Sequence, residues 1–296
     1  MKILVTGGQG FLGKPFAERM ARCGHTVLAP VSTPGGLSES LDLFDSEATQ
    51  TYLSKHKPQG LVHFAWETTP GAYWSCSSNL SWVSASIQLL SSFAEYGGKR
   101  VLVVGSSAEY SWNTAEVLSE SRTPLSPSSL YGISKLSLFQ ILNRWSEDIG
   151  LSFAWPRIFC PFGPRERPER LIPRIVTQLS TGKEVLFDSG NSVRDFLHVE
   201  EVASAIQSVF ESTYQGAINI GSGEGLAIRE VVSGVADFLD AFELVKFDRV
   251  PDPVNQPSEI VALTEILNSE IGWKPNMSFN ERLGETCEWY LKQLGV

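Results

Sequence analysis

Strand-length apolar runs alternating with helix-length amphipathic ones predict an α/β fold: a doubly wound parallel sheet with a smaller C-terminal α/β lobe. Two further observations agree. The turn Thr6-Gly7-Gly8-Gln9-Gly10-Phe11-Leu12-Gly13 separates the first apolar run from the first helical one. A βαβ unit opens this way when backbone must come close to an anion held at a helix N-terminus. The regular alternation also stops near residue 160, where Pro161, Pro164, Pro168 and Pro173 punctuate the chain and shorter elements follow.

Taken in order, residues 2–6 form a strand and residues 11–23 a helix that Gly24 can terminate. Residues 26–31 form the second strand, residues 46–56 a helix and residues 60–65 the third strand. Leu80, Val83, Ile87, Leu90 and Ala94 fall at helical spacing within a long helix over 74–96. A strand at 100–104, a helix at 127–148 ended by Gly150, and a strand at 152–159 complete the first half. The second half carries helices at 170–179, 199–212, 227–240 and 278–294, with short strands at 184–187 and 217–220.

The 296 residues suffice for a large core and one large or two modest domains. The net charge of −9, with no Lys or Arg run, argues against a nucleic-acid or anionic-membrane partner. The N-terminal run MKILVTGG is too short for an export signal, and no stretch of ~18 apolar residues suggests a membrane span. Cys23, Cys76, Cys160 and Cys287 are scattered without CxxC spacing, so reduced thiols, a cytoplasmic location and no metal site are expected.

Tyr131-Gly-Ile-Ser-Lys135 is the most informative stretch. A Tyr and a Lys four apart share one helix face, separated by roughly 6 Å along the axis. A nearby ammonium lowers the energy of a phenolate. Bringing a Tyr that titrates near 10 close to neutrality takes roughly 4 kcal/mol. Tyr131 and Lys135 therefore read as a proton donor beside a hydride carrier. The second strand ends in Val31-Ser32-Thr33-Pro34, where an acid would repel a 2′-phosphate. Ser32 and Thr33 leave room for one, which places NADP(H) slightly ahead of NAD(H).

Together the TGGxGFLG turn, Asp42-Leu43-Phe44-Asp45, Val62-His63-Phe64-Ala65, Gly105-Ser106-Ser107, YxxxK and Arg194-Asp195-Phe196-Leu197-His198-Val199 form an ordered set. It resembles the extended short-chain dehydrogenase/reductase family of NAD-dependent, nucleotide-sugar epimerases, dehydratases and reductases, over about residues 1–275. The resemblance implies a Rossmann-type NAD(P) domain over 1–160 plus 194–221. It implies a substrate lobe over 161–193 plus 222–296, a nucleotide-diphosphate sugar as substrate, and a homodimer through the two long helices.

Carried over by position, Tyr131 is the acid/base, Lys135 holds the nicotinamide ribose, and Ser106 bonds the reacting sugar oxygen. Gly7, Gly10, Phe11, Leu12 and Gly13 match the pyrophosphate turn, and Ser32 and Thr33 the adenosine ribose. Asp42 and Leu43 match adenine contacts, Ala65 and Trp66 the loop along the cofactor, Asn79 a helix-borne polar contact, and Ile158 and Phe159 the nicotinamide edge. Ser107, Cys160, Phe187, Arg194 and Gln256 match the substrate side, with Arg194 gripping the diphosphate through its planar fork of donors.

Departures from the family pattern narrow the chemistry. Dehydratases carry an acid two places before the equivalent of Tyr110; here Ala108 stands there. A one-residue shift along a strand turns the adjacent Glu109 to the other face. Cys160 replaces a common Asn, and Gln256 stands where a second phosphate-binding Arg is usual, leaving Arg165, Arg167 or Arg170 to assist Arg194. The four histidines lie far apart and suit packing roles. Glu200-Glu201 suits a helix N-terminus. The reading is reduction of a 4-keto(-6-deoxy) sugar nucleotide, with a redox-neutral 4-epimerase holding NAD tightly and a non-catalytic dinucleotide sensor left open.

Overall fold

The computed structural model describes residues 1–32, 39–112, 117–251 and 257–295. Its first half runs β1 (Lys2–Thr6), α1 (Gly13–Arg22), β2 (Thr26–Leu28), α2 (Ser46–His56), β3 (Gly60–His63), α3 (Ser78–Glu95) and β4 (Arg100–Val103). Next come β5 (Gly105–Ser106), a 3-10 turn at Ser107–Glu109, α4 (Leu130–Ile149), β6 (Ser152–Ile158) and β7 (Cys160–Phe162). After that come α5 (Leu171–Ser180), β8 (Val185–Leu186), β9 (Val193–Arg194), β10 (Phe196–His198), α6 (Val199–Glu211) and β11 (Gly216–Ile220). The chain closes with β12 (Leu226–Ala227), α7 (Ile228–Phe238), β13 (Val245–Lys246), β14 (Glu259–Ile260), α8 (Glu265–Ser269) and α9 (Phe279–Leu294).

The main sheet is seven-stranded and parallel, in the order β11-β6-β4-β3-β1-β2 with β5 on the end of β6. Beyond β2 a parallel bridge from Val31 to Ser40 continues the edge. Strand order reverses between β1 and β3, so their carboxyl ends diverge into a crevice where open α/β sheets bind ligands. The expected parallel, doubly wound architecture is present.

Alternation along β1 explains the layers. Ile3 and Val5 enter one core with Phe16 and Met20 of α1 and Val202, Ile206 and Val209 of α6. Leu4, between them, enters the other core with Leu53 of α2, Leu89 and Phe93 of α3, and Leu138 and Leu142 of α4. A third core, with Ile175, Val176, Val231, Val235, Leu283 and Cys287, joins α5, α7 and α9 in the C-terminal part. Leu267 and Trp273 pack into the first core, although their segment was expected in the smaller lobe.

Differences from the sequence reading have local causes. The second strand ends at Leu28 rather than 31, because Pro30 has no N–H for the ladder. The third helix begins at Ser78 rather than 74, because turns occupy the segment after Pro70 and Gly71. Strands β7, β9, β10, β12, β13 and β14 span two or three residues each, too short for a readable alternation.

Two buried histidines tie the sheet to its helices. The Ser86 hydroxyl donates to the Trp82 carbonyl at 2.7 Å, so it accepts from His63 Nε2 at 2.9 Å. Nδ1 is thereby left to accept from Thr6 Oγ1 at 2.6 Å. His198 caps α6 by accepting from Glu200 N at 3.3 Å. Burial pulls both imidazoles down to about 3. The unfolded chain therefore takes up protons near pH 6.5 that the folded chain refuses. Stability is full above that pH and falls as pH drops from 6.5 toward 3, by roughly 2 kcal/mol per histidine between pH 7 and 5. Chemical denaturation across this range checks the slope, which His63→Gln should reduce.

Candidate active site

The crevice floor is the glycine turn. Gly7 has φ +68°, and a Cβ there would lie 2.9 Å from the Ala65 nitrogen; at Gly13 it would lie 2.2 Å from the Gly7 carbonyl oxygen. Gly10 N–H closes the turn on Gly7 O at 2.9 Å. Leu12, at the α1 N-cap, offers no side-chain acceptor, and the first turn of α1 has no acid. This end of the helix suits an anion, and the cradle that a Cβ would fill fits a dinucleotide pyrophosphate.

Ser106, Tyr131 and Lys135 meet where β5 and its 3-10 turn face α4. The Ser106 hydroxyl lies near enough to the Tyr131 phenol to lower its pKa, and it accepts from Ala108 N at 3.2 Å. Tyr131 is the second residue of α4, and its N–H donates to the Trp74 carbonyl at 3.1 Å. Ser129 caps the same helix by accepting from Gly132 N at 3.1 Å. One turn on, buried Lys135 donates from Nζ to the Val104 carbonyl at 2.8 Å.

The expected acidification of Tyr131 by Lys135 is not what the geometry shows. Burial pushes the phenol above its ordinary value, and the neighbouring Ser106 hydroxyl pulls it only partly back. The Lys135 amine points at Val104 and lies 3.8 Å from the Trp66 ring centroid instead of serving the phenol. Burial pulls that amine down to about 7, against the attraction of Glu109.

Aromatic rings wall Tyr131. The edges of Tyr73, Trp74 and Trp66 meet it at centroid distances of 4.9, 5.7 and 6.4 Å. The Arg170 guanidinium lies 5.6 Å from the Tyr73 ring centroid, and its charge acts against the rise that burial gives the Tyr73 phenol. Trp112 packs on Trp74 and donates from Nε1 to the Ser107 carbonyl at 2.9 Å. Asn79 braces this loop. Its amide donates to the Tyr73 and Cys76 carbonyls, each at 2.8 Å, and its oxygen accepts from Trp66 Nε1 at 2.8 Å. Three of its four hydrogen-bonding positions are thus committed within the protein.

Residues 3–221 match the model of the NAD dependent epimerase/dehydratase family. The chain belongs to that family. It lies in the extended short-chain dehydrogenase/reductase group. The dTDP-glucose 4,6-dehydratase of Shigella flexneri is 27% identical, over 98% of this chain and 93% of its own length. The UDP-glucose 4-epimerase of Corynebacterium glutamicum is also 27% identical, over 100% of this chain and 97% of its own. The crystal structure of the dTDP-glucose 4,6-dehydratase of Bacillus anthracis in complex with NAD superposes with a TM-score of 0.86 at 26% identity, covering 100% and 98% of the two chains.

Within this epimerase/dehydratase framework, other expected site residues divide by placement. Ile158 and Phe159 are buried, and Phe159 N–H donates to the Ile220 carbonyl. Phe11 is half-buried, and Ser32 is exposed at the end of the β2 edge. Asp42 is exposed and accepts from Phe44 N at 2.9 Å. Leu43 is spent in the core beneath α2 and α3. Cys160 pairs with Phe196 across β7 and β10, and burial pushes its thiol up to about 12. Arg194 is half-buried and donates to its neighbour's carbonyl, Val193 O, at 2.7 Å. Phe187 packs in the third core against Phe247. Thr33 and Gln256 lie outside the described residues.

Three structural supports escaped the sequence reading. Glu109 is fully buried and accepts from Ser106 N at 2.7 Å, Trp155 Nε1 at 2.9 Å and Arg157 Nε at 2.8 Å. Its turning away from Ala108 was expected; the partners were not. Arg157 Nη1 reaches the Tyr110 hydroxyl at 2.9 Å, which donates to Asn219 Oδ1 at 2.8 Å. Asp195 accepts from Ser222 N, Gly223 N and Ala262 N at 2.7, 3.0 and 3.1 Å, joining β9–β10 to the strand exits.

A further support stands beside Tyr131 in the sequence: a Cβ at Gly132 would lie 2.3 Å from the Ala108 carbonyl oxygen. Gly132→Ala should push α4 off the Ser106 turn, costing about 1–3 kcal/mol and most of the turnover. Calorimetric melting and steady-state rates check it.

Proposed function

We propose that this family member reduces a keto-sugar nucleotide, a 4-keto-6-deoxyhexose on a nucleoside diphosphate, with Tyr131 as proton donor. The observation that carries the reading is the wall beside Tyr131. Ala108 has no group to take a proton from a sugar carbon, and Glu109 is turned into the Trp155–Arg157 network. The influence of the Ser106 hydroxyl on the Tyr131 phenol supports the pairing that a carbonyl reduction needs. Burial keeps the phenol protonated at neutral pH, the state required of a donor.

The nicotinamide, when bound, supplies hydride from its C4 to the carbonyl carbon. Tyr131 gives its proton to the carbonyl oxygen as charge gathers there. Ser106 holds the same oxygen, and Lys135 contributes positive field and binds ribose hydroxyls. Arg194, with Arg170 near Tyr73, offers guanidinium donors to the diphosphate. In this reading residues 1–160 and 194–221 hold the cofactor, and 161–193 with 222–296 hold the sugar nucleotide. Leu80 of α3 and Ile133 and Ile141 of α4 leave large apolar side chains exposed, which supports a homodimer through these helices.

Purified protein should oxidise NADPH in step with a supplied keto-sugar nucleotide. NADPH should bind more tightly than NADH, because Ser32 supplies no acid to repel a 2′-phosphate, and Ser32→Asp should reverse that order. Titration calorimetry measures both. Interconversion of a sugar nucleotide without net consumption of cofactor would overturn the reductase and assign a redox-neutral 4-epimerase.

A further inference from the structure

We propose that Trp66 is a positioning residue, its indole face holding the Lys135 ammonium in working place; the inference rests on the role given to Lys135 above. Lys135 Nζ lies 3.8 Å from the Trp66 ring centroid and makes one backbone hydrogen bond, to Val104 O at 2.8 Å. The side chain is buried, and tryptophan offers an ammonium the most favourable ring face.

The ring is itself immobilised. Trp66 Nε1 donates to Asn79 Oδ1 at 2.8 Å, and Asn79 is anchored to Tyr73 O and Cys76 O, each at 2.8 Å. The indole stacks on Trp82 of α3 at 6.0 Å with 25° between planes. A rigid series thus runs from the loop through Asn79 and Trp66 to the amine.

Among the described residues, the titratable groups facing Lys135 are Glu109 from the 3-10 turn, His63 from β3 and Tyr131 from α4. His63 is neutral, since burial pulls it to about 3, and Tyr131 is a protonated phenol. Glu109 already accepts from Arg157, Trp155 and Ser106. The indole face therefore adds to the attraction of Glu109 in offsetting the burial of this charge. It also leaves the remaining ammonium donors for ribose hydroxyls.

The test titrates protein labelled with 13C at lysine Cε by NMR, with Lys135→Met identifying the resonance, so that neither substrate nor turnover is needed. Native Lys135 should titrate at about 7. Trp66→Leu should move that midpoint down by about one pH unit, and Trp66→Phe by less than half as much. NADPH affinity at pH 8 should fall in the same order, about 10-fold for Trp66→Leu. Incorporation of increasingly fluorinated tryptophans, which weakens the ring face without substitution, should lower the midpoint stepwise and serves if Trp66→Leu does not fold. An unmoved midpoint, equal shifts for Phe and Leu, or no trend with fluorination overturns the proposal. The expected shifts in a protein that reduces no keto-sugar would support the Trp66–Lys135 coupling while refuting the reductase.

Discussion

Tyr131→Phe should lower kcat by about 100-fold or more and leave dinucleotide affinity unchanged. The phenyl ring keeps its edge contacts with Tyr73, Trp74 and Trp66, so the aromatic wall retains its shape. The backbone bond from residue 131 to the Trp74 carbonyl is independent of the side chain. What disappears is the hydroxyl beside Ser106 that holds the transferable proton. Lys135 still reaches Val104 and Trp66, so binding on the cofactor side persists. Absorbance assays of NADPH oxidation and calorimetric binding separate the two quantities. Undiminished turnover would remove Tyr131 from the chemistry, and undiminished biological function in an inactive variant would favour a dinucleotide sensor.

Glu109→Ala should destabilise the protein by about 3–5 kcal/mol, with a fall of roughly 10 °C in Tm. The carboxylate lies 2.8 Å from Arg157 Nε, and neither side chain reaches solvent. Removing it leaves a buried guanidinium without its counter-charge and also deprives Trp155 Nε1 and Ser106 N of their acceptor. The Ser106 turn then loosens, so kcat should drop although Glu109 touches no substrate in the proposed reaction. The double variant Glu109→Leu/Arg157→Met should recover much of the stability, because an apolar pair removes both buried charges at once. It should not recover kcat, since Ser106 N remains without its acceptor. A double variant no more stable than Glu109→Ala would refute the charge-pair account.

These two outcomes mark where the chain's own letters carry information. The glycine turn was legible because left-handed backbone and close packing demand absent side chains at Gly7 and Gly13. Tyr131 and Lys135 were legible because a four-residue spacing commits two residues to one helical face whatever surrounds them. The Glu109–Arg157 bond was not, since it joins residues 48 apart whose nearness depends on the pairing of β5 with β6. Asn79 was read as a cofactor contact, and its local role as a brace for Tyr73, Cys76 and Trp66 required a folded loop. Phe187 was placed beside the substrate, but its neighbours Phe247 and Arg174 exist only once the third core has closed.

From the sequence by itself follow the parallel α/β architecture, the position of the glycine turn and the shared helix face of Tyr131 and Lys135. These rest on periodicity, spacing or residue type, which are local properties of a chain, whereas the readings of Ser106 and Ala108 rest on the family resemblance. Tertiary structure alone decided where the Lys135 amine points and which way the Tyr131 phenol is shifted. Both follow from desolvation and from which ring or carbonyl occupies the last few ångströms, and burial acts on a group only when distant segments have enclosed it.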